Sequence, residues 1–147
     1  MEDDGVVFCW WLVEGAKDSM DNTIAGDRIC LKDGTHNENV YVDERLTILS
    51  ENCSTNCIVN ATNSNDPVFN VTANYVTISG FTVQNATGTT VAGIRLEEVS
   101  YCNISGNAAA NNNYGIYHSN ASSNNITCNW VHGNTQRRFH LAGGSHR

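Results

Sequence analysis

Apolar positions alternate with polar ones along most of this chain, and the alternation returns at intervals. Tyr75-Val76-Thr77-Ile78-Ser79-Gly80 sets Val76 and Ile78 against Thr77 and Ser79. Tyr101-Cys102-Asn103-Ile104-Ser105-Gly106 and Asn124-Asn125-Ile126-Thr127-Cys128 repeat that pattern. A period of two marks a half-buried strand, and the runs are too short for helices. Ile78 to Ile104 is 26 residues and Ile104 to Ile126 is 22. A second run, Gly93-Ile94-Arg95-Leu96, comes back 22 residues later as Gly115-Ile116-Tyr117-His118. Units of this length, with two or three short strands and Asn, Gly or Ser at the corners, predict an all-β parallel β-helix. One turn cannot bury its inner face alone, so stacking the turns makes the core. Parallel crossovers are right-handed, and the solenoid is expected to be right-handed too.

Ahead of the repeats the pattern is less regular. Val6 to Val13 is apolar and reads as a first strand under the bottom of the solenoid. Ala16 to Thr23 reads as a short capping helix, with Ala16, Met20 and Ile24 on one face. Gly26 ends it, able to take a left-handed cap conformation. Arg28–Lys32 follows as a strand with Ile29 and Leu31 inward, and Asp33-Gly34 signals a tight turn. Asn39–Val42, Leu46–Ser50, Ile58–Asn60 and Phe69–Val71 read as further strands, with a loop over 51–57 between them. The expected organisation is a cap over 1–26, solenoid turns over 27–141 and an uncapped tail over 142–147. Because solenoids need a covered terminal turn, the chain is expected to be the first part of a longer array.

Composition narrows the class. The chain has 147 residues, 40% hydrophobic and 16% charged, with a formal charge of −7. Phosphate binding needs a basic surface, so no nucleic acid is expected. No apolar run reaches the length of a membrane span. Glu2, Asp3 and Asp4 stand where a signal peptide needs basic residues, so none is read there. Asn-X-Ser/Thr acceptors nevertheless occur at Asn52, Asn60, Asn70, Asn85, Asn103, Asn120 and Asn125. They are glycosylation candidates if the chain is secreted, and an extracellular or cell-surface location is expected.

The run from Ala16 to Asn52, followed by Asn74–Gly80 and Ala92–Leu96, carries a resemblance. Ala25-Gly26-Asp27, Asp33-Gly34-Thr35-His36, Glu38-Asn39-Val40 and Leu46-Thr47-Ile48-Leu49-Ser50-Glu51-Asn52 resemble the opening of NosD-like β-helix proteins. That group shares the pectin-lyase-like fold and the repeat class named for carbohydrate-binding and sugar-hydrolysis domains, and sets of such proteins occur on methanogen surfaces. His36 replaces the usual Tyr, and Gln136–Leu141 departs from the pattern. The resemblance covers about residues 16 to 134 and implies the fold, not one function. It implies three functions: a structural or carbohydrate-binding surface domain, a fragment of a polysaccharide lyase, hydrolase or epimerase, and a periplasmic copper-handling accessory protein.

The residues weigh these readings. Cleavage of polysaccharide on such a fold needs clustered acids or a basic residue beside a uronate. Arg95 is the only basic residue between Arg45 and Arg137, and Glu97 and Glu98 point opposite ways on one strand, so no catalytic residue is named. Tyr75 and Tyr101 hold matching positions and should stack, and with Tyr117 they are the candidate sugar platforms. The partner this implies is a polysaccharide or a cell-surface glycan. His118 and His140 are 22 apart and in strict register would stack about 4.8 Å apart on adjacent turns, a spacing for a metal pair. No third ligand accompanies them, so no metal and no other cofactor is expected. Cys53 and Cys57 are spaced for a disulfide, Cys9 and Cys30 lie near the capping end, and Cys102 and Cys128 read as small core residues. Asn107 and Asn129, and likewise Asn85 and Asn111, recur at the repeat spacing and should form ladders along the axis.

Overall fold

A computed structural model of the protein describes residues 12–13, 23–52 and 54–142. The described residues hold no helix; they form about five turns of a parallel β-solenoid with three strands per turn. The first turn is β2 (Arg28–Leu31), β3 (Gly34–Asn37) and β4 (Val40–Val42), and the second is β5 (Thr47–Ser50), β6 (Cys57–Asn60) and β7 (Phe69–Val71). β8 (Thr77–Ser79), β9 (Thr82–Gln84) and β10 (Ala92–Glu97) make the third. The fourth is β11 (Asn103–Ser105), β12 (Ala108–Ala110) and β13 (Tyr114–Ser119). The fifth is β14 (Asn125–Thr127), β15 (Trp130–His132) and β16 (Arg137–Ala142). Every pairing is parallel, and like strands stack into three sheets. The end of the apolar N-terminal run, β1 (Leu12–Val13), heads the first sheet by pairing Leu12 with Cys30 and Val13 with Leu31. The expected helix over 16–23 lies outside the described residues.

The alternation read in the sequence is the alternation of burial. Ile29, Ile48, Ile78 and Ile104 form one inward column across the first sheet, each 3% exposed or less. Val40, Phe69, Ile94 and Ile116 do the same in the sheet of β4, with Phe69 packed on Phe81 at 5.5 Å between ring centres. Cβ atoms on a strand point alternately to the two faces, so the intervening Thr, Ser and Asn side chains face outward.

The corners explain the rest of the composition. The same corner positions take a left-handed backbone in successive turns: Tyr75, Tyr101 and Ser123; Gly80, Gly106 and Cys128; Asn85, Asn111 and Gly133; Glu98 and Asn120. Gly enters this region without strain and Asn with little, and each allows the strand-to-strand bend. Inward asparagines then tie turn to turn. The Asn107 Oδ1 accepts the Phe81 N–H at 3.0 Å, while its Nδ2 donates to the Ile78 carbonyl at 3.0 Å and to Asn129 Oδ1 at 3.2 Å. Asn129 repeats the move one turn on, accepting from the Asn107 N–H and donating to the Ile104 carbonyl. Asn112 and Asn134 form a second ladder of the same design. The expected Asn107–Asn129 ladder is therefore present. Asn85 and Asn111 meet instead through a backbone bond, Asn85 N–H to the Asn111 carbonyl.

Asp33-Gly34 is the tight turn expected, used as the corner that leads from the first sheet into β3. Several expectations are corrected. Cys128 is exposed: the chain bends at the position of Gly106, which breaks the inward parity counted from Ile126. Cys102 is buried as expected. Cys57 is a free thiol, so no Cys53–Cys57 disulfide forms. Cys30 is disulfide-bonded, to a partner outside the described residues. Glu98 is not on a strand with Glu97; it sits at the corner after β10. In the last turn β16 is shifted by one: Tyr114 pairs with Arg137, while Ala108 still pairs with Trp130. One extra residue is therefore taken up between His132 and Arg137.

Candidate functional site

The outward positions of the third sheet bring together side chains that lie far apart in sequence. Tyr41 of β4 pairs with Asn70 of β7, Asn70 with Arg95 of β10, and Arg95 with Tyr117 of β13. Each flanking residue is buried, so the fold turns these four outward, one per turn. Tyr41 is 56% exposed. The Arg95 guanidinium lies over the Tyr117 ring at 5.5 Å from its centre and faces Glu97 Oε1 at 3.5 Å from Nε. Tyr114 meets Tyr117 edge-on at 5.4 Å. Cation–ring contact and ion pair together hold Arg95 flat and neutralise it locally. The result is a strip with aromatic ends and a polar middle.

Beside the Tyr41 end lies a cavity of about 590 Å³, within the size range of small-ligand sites. Tyr41, Asn70, Glu38, Asn63 and Asp66 are among its lining residues. Its wall is built by Asn39, whose Nδ2 donates to the carbonyls of Asn63, Asp66 and Pro67 and whose Oδ1 accepts the Asn63 N–H. Asn63 in turn donates to Asp66 Oδ2 at 2.8 Å. These bonds fix the loop 62–67 over the groove. The Asn70 Oδ1 is buried and accepts no hydrogen bond from any described residue. A buried acceptor without a donor is costly, so a ligand hydroxyl arriving there would gain by filling it.

The named tyrosines separate into two places. Tyr75 and Tyr101 stack as expected, at 5.1 Å and 14°. They stand at the corner before the first sheet, away from the Tyr117 strip, and both are more than half exposed. This pair therefore forms a ladder of its own along the axis, separate from the strip. Tyr117 joins the strip through Arg95 and Tyr114. Tyr41 and Asn70 escaped the sequence reading because the step between outward partners shortens at every turn, and no fixed period connects them. The sheet register alone reveals them.

Metal chemistry fits the described residues poorly. His118 is buried, with Nε2 3.0 Å from Asn124 Nδ2, and pairs in register with Leu141; His140 pairs with Tyr117. The expected His118–His140 stack is thus displaced by the one-residue shift of β16. His36 is also buried, its Nε2 2.8 Å from the Lys32 carbonyl. Burial raises the Cys102 thiol above its usual range, and burial with Asp33, Glu51 and Glu38 nearby raises Cys57 to about 12. Both are therefore protonated at neutral pH. No group of three or more His, Cys, Asp or Glu side chains converges among the described residues.

Arg95 is paired with Glu97, and Glu98 stands at the corner beyond. No helix among the described residues is long and apolar enough to cross a membrane.

Comparison with known proteins gives one family. A family model described as periplasmic copper-binding protein (NosD) matches residues 18–147. No curated protein and no solved structure matches the chain. The match spans the solenoid from its first turn to its last, and with the stacked parallel sheets it places the chain in the NosD family of periplasmic β-helix proteins.

Proposed function

We propose that this chain is a non-catalytic, glycan-binding β-solenoid that works outside the cytoplasm, and that it holds glycan on the strip Tyr41, Asn70, Arg95 and Tyr117. The observation that carries the reading is that column: two outward tyrosines bracket an amide and a neutralised guanidinium, one group per turn, beside a cavity with an unfilled acceptor. Aromatic faces with a few fixed polar groups are what hydroxyl-rich rings need. Successive turns lie about 4.8 Å apart, close to the length of a sugar unit, so an extended chain along the axis meets one group per unit. The disulfide at Cys30 accords with an oxidising compartment, as does the periplasmic family.

The test is retention of the purified chain on a panel of insoluble and immobilised polysaccharides, with the supernatant assayed for new reducing ends and unsaturated uronates. The reading expects retention without products. Products would move the chain to the lyase, hydrolase or epimerase class and direct mutagenesis to Glu38 and Asp66 in the cavity. The absence of both would leave a structural surface role.

A further inference from the structure

The seven Asn-X-Ser/Thr acceptors are equal in sequence, and the fold makes them unequal. An acceptor must offer its Nδ2 to a transferase, outside a strand and not already donating. Asn60 and Asn125 lie in β6 and β14, and their Nδ2 atoms donate to Asn37 Oδ1 at 2.9 Å and Asn103 Oδ1 at 3.2 Å. Asn103 lies in β11 and is the other half of the second bond. Asn70 lies in β7 with its Oδ1 buried. Asn85 is at an exposed corner, yet its Nδ2 donates to Asn60 Oδ1. Asn52 is exposed and donates to Asp33 Oδ2.

Asn120 differs from all six. It follows the end of β13, is exposed, and takes a left-handed backbone with φ 49°. Its side chain makes no hydrogen bond with any described residue. The sequon is completed by Ser122, whose hydroxyl lies 3.2 Å from that of Ser100 on the neighbouring turn. The corner before it, at Glu98, has the same conformation, so the bend is part of the repeat and keeps its shape whatever Asn120 carries.

We infer that Asn120 is the N-glycosylation site of the folded protein. The donor is an oligosaccharide linked through phosphate or pyrophosphate to a lipid, presented by an oligosaccharyltransferase. The Asn120 Nδ2 attacks the anomeric carbon and forms the N–C bond. The anomeric C–O bond to phosphate breaks, the lipid phosphate leaves with the electron pair, and one amide proton passes to a base of the transferase. This modification is independent of the proposed glycan-binding strip.

The experiment treats the purified, folded chain, carrying an added control sequon after Arg147, with a single-subunit transferase and its lipid-linked donor. Occupancy of each sequon is then read by peptide mass spectrometry. The expected result is occupancy at the control and at Asn120 at least tenfold above any of Asn52, Asn60, Asn70, Asn85, Asn103 and Asn125. Asn120→Gln and Ser122→Ala each remove the internal modification, and heat-unfolded chain accepts glycan at the strand sequons as well. A modified control with unmodified Asn120, or strand sequons filled as fully as Asn120 in folded protein, overturns the inference.

Discussion

The corner residues show what one position contributes. Cys128 occupies the place of Gly80 and Gly106 and takes the same left-handed backbone, at φ 56°. That region costs a residue with a Cβ about 1 kcal/mol relative to Gly, partly offset by the greater freedom of Gly in the unfolded chain. Cys128→Gly should therefore be neutral or stabilising by up to about 1 kcal/mol in urea unfolding; clear destabilisation would mean that the thiol makes a packing contribution. Among the described free thiols, exposure makes Cys128 the one that reacts with maleimide in native protein, while Cys57 and Cys102 are shielded. Cys57 also sets a pH dependence. Its thiol rises from 9.0 to about 12 in the fold, first through burial and then through Asp33, Glu51 and Glu38. The unfolded chain loses this proton near pH 9, so the stabilisation is complete below about pH 9 and drains away as pH rises toward 12. Comparing urea midpoints at pH 8 and 10.5, wild type should lose more than Cys57→Ala, which lacks the titrating group. An equal loss in both would assign alkaline sensitivity elsewhere.

At the scale of strands and ladders, stability is held by amides as much as by the apolar columns. Asn107→Ala leaves the buried Phe81 N–H and Ile78 carbonyl without their side-chain partner. Each such loss costs about 1–3 kcal/mol, so the variant should lose about 3 kcal/mol in denaturant titration. Asn129→Ala, in the half-buried last turn, should lose less; equal losses would contradict the ladder account. This scale was also the most legible in the sequence. The Ile78, Ile104 and Ile126 column and the Asn107–Asn129 step were readable from spacing, whereas Ile48 joins the column after a longer step of 30 residues. The strands of the second sheet were harder, because Gly34–Asn37 is mostly polar and Ala108–Ala110 does not alternate. The slip of β16 was signalled only by the departure of Gln136–Leu141 from the family pattern; the extra residue falls in 133–136, where no apolar residue marks its place. The proposed strip was legible only at Tyr117. Tyr41 and Asn70 depend on loops of unequal length, which decide the sheet partner and which no local pattern encodes.

For the whole molecule, family and site give different emphases. The family description names copper, while the described residues hold His36 and His118 buried and bring no three His, Cys, Asp or Glu side chains together. His118→Ala should accordingly leave any copper uptake of the chain unchanged in equilibrium dialysis, and a loss of one equivalent would restore His118 as a ligand. The glycan reading concentrates instead on one face of the solenoid, and it separates two sets of tyrosines that look alike in sequence. The most direct test measures retention on the polysaccharide that binds wild type best, for the double variants Tyr41→Ala/Tyr117→Ala and Tyr75→Ala/Tyr101→Ala, each first checked for a cooperative thermal transition. Losing a stacking ring costs about 1 kcal/mol or more, so the first pair should weaken binding at least tenfold while the second leaves it within about twofold. The opposite order, with the corner pair carrying the affinity and the strip dispensable, would contradict the assignment of the binding face.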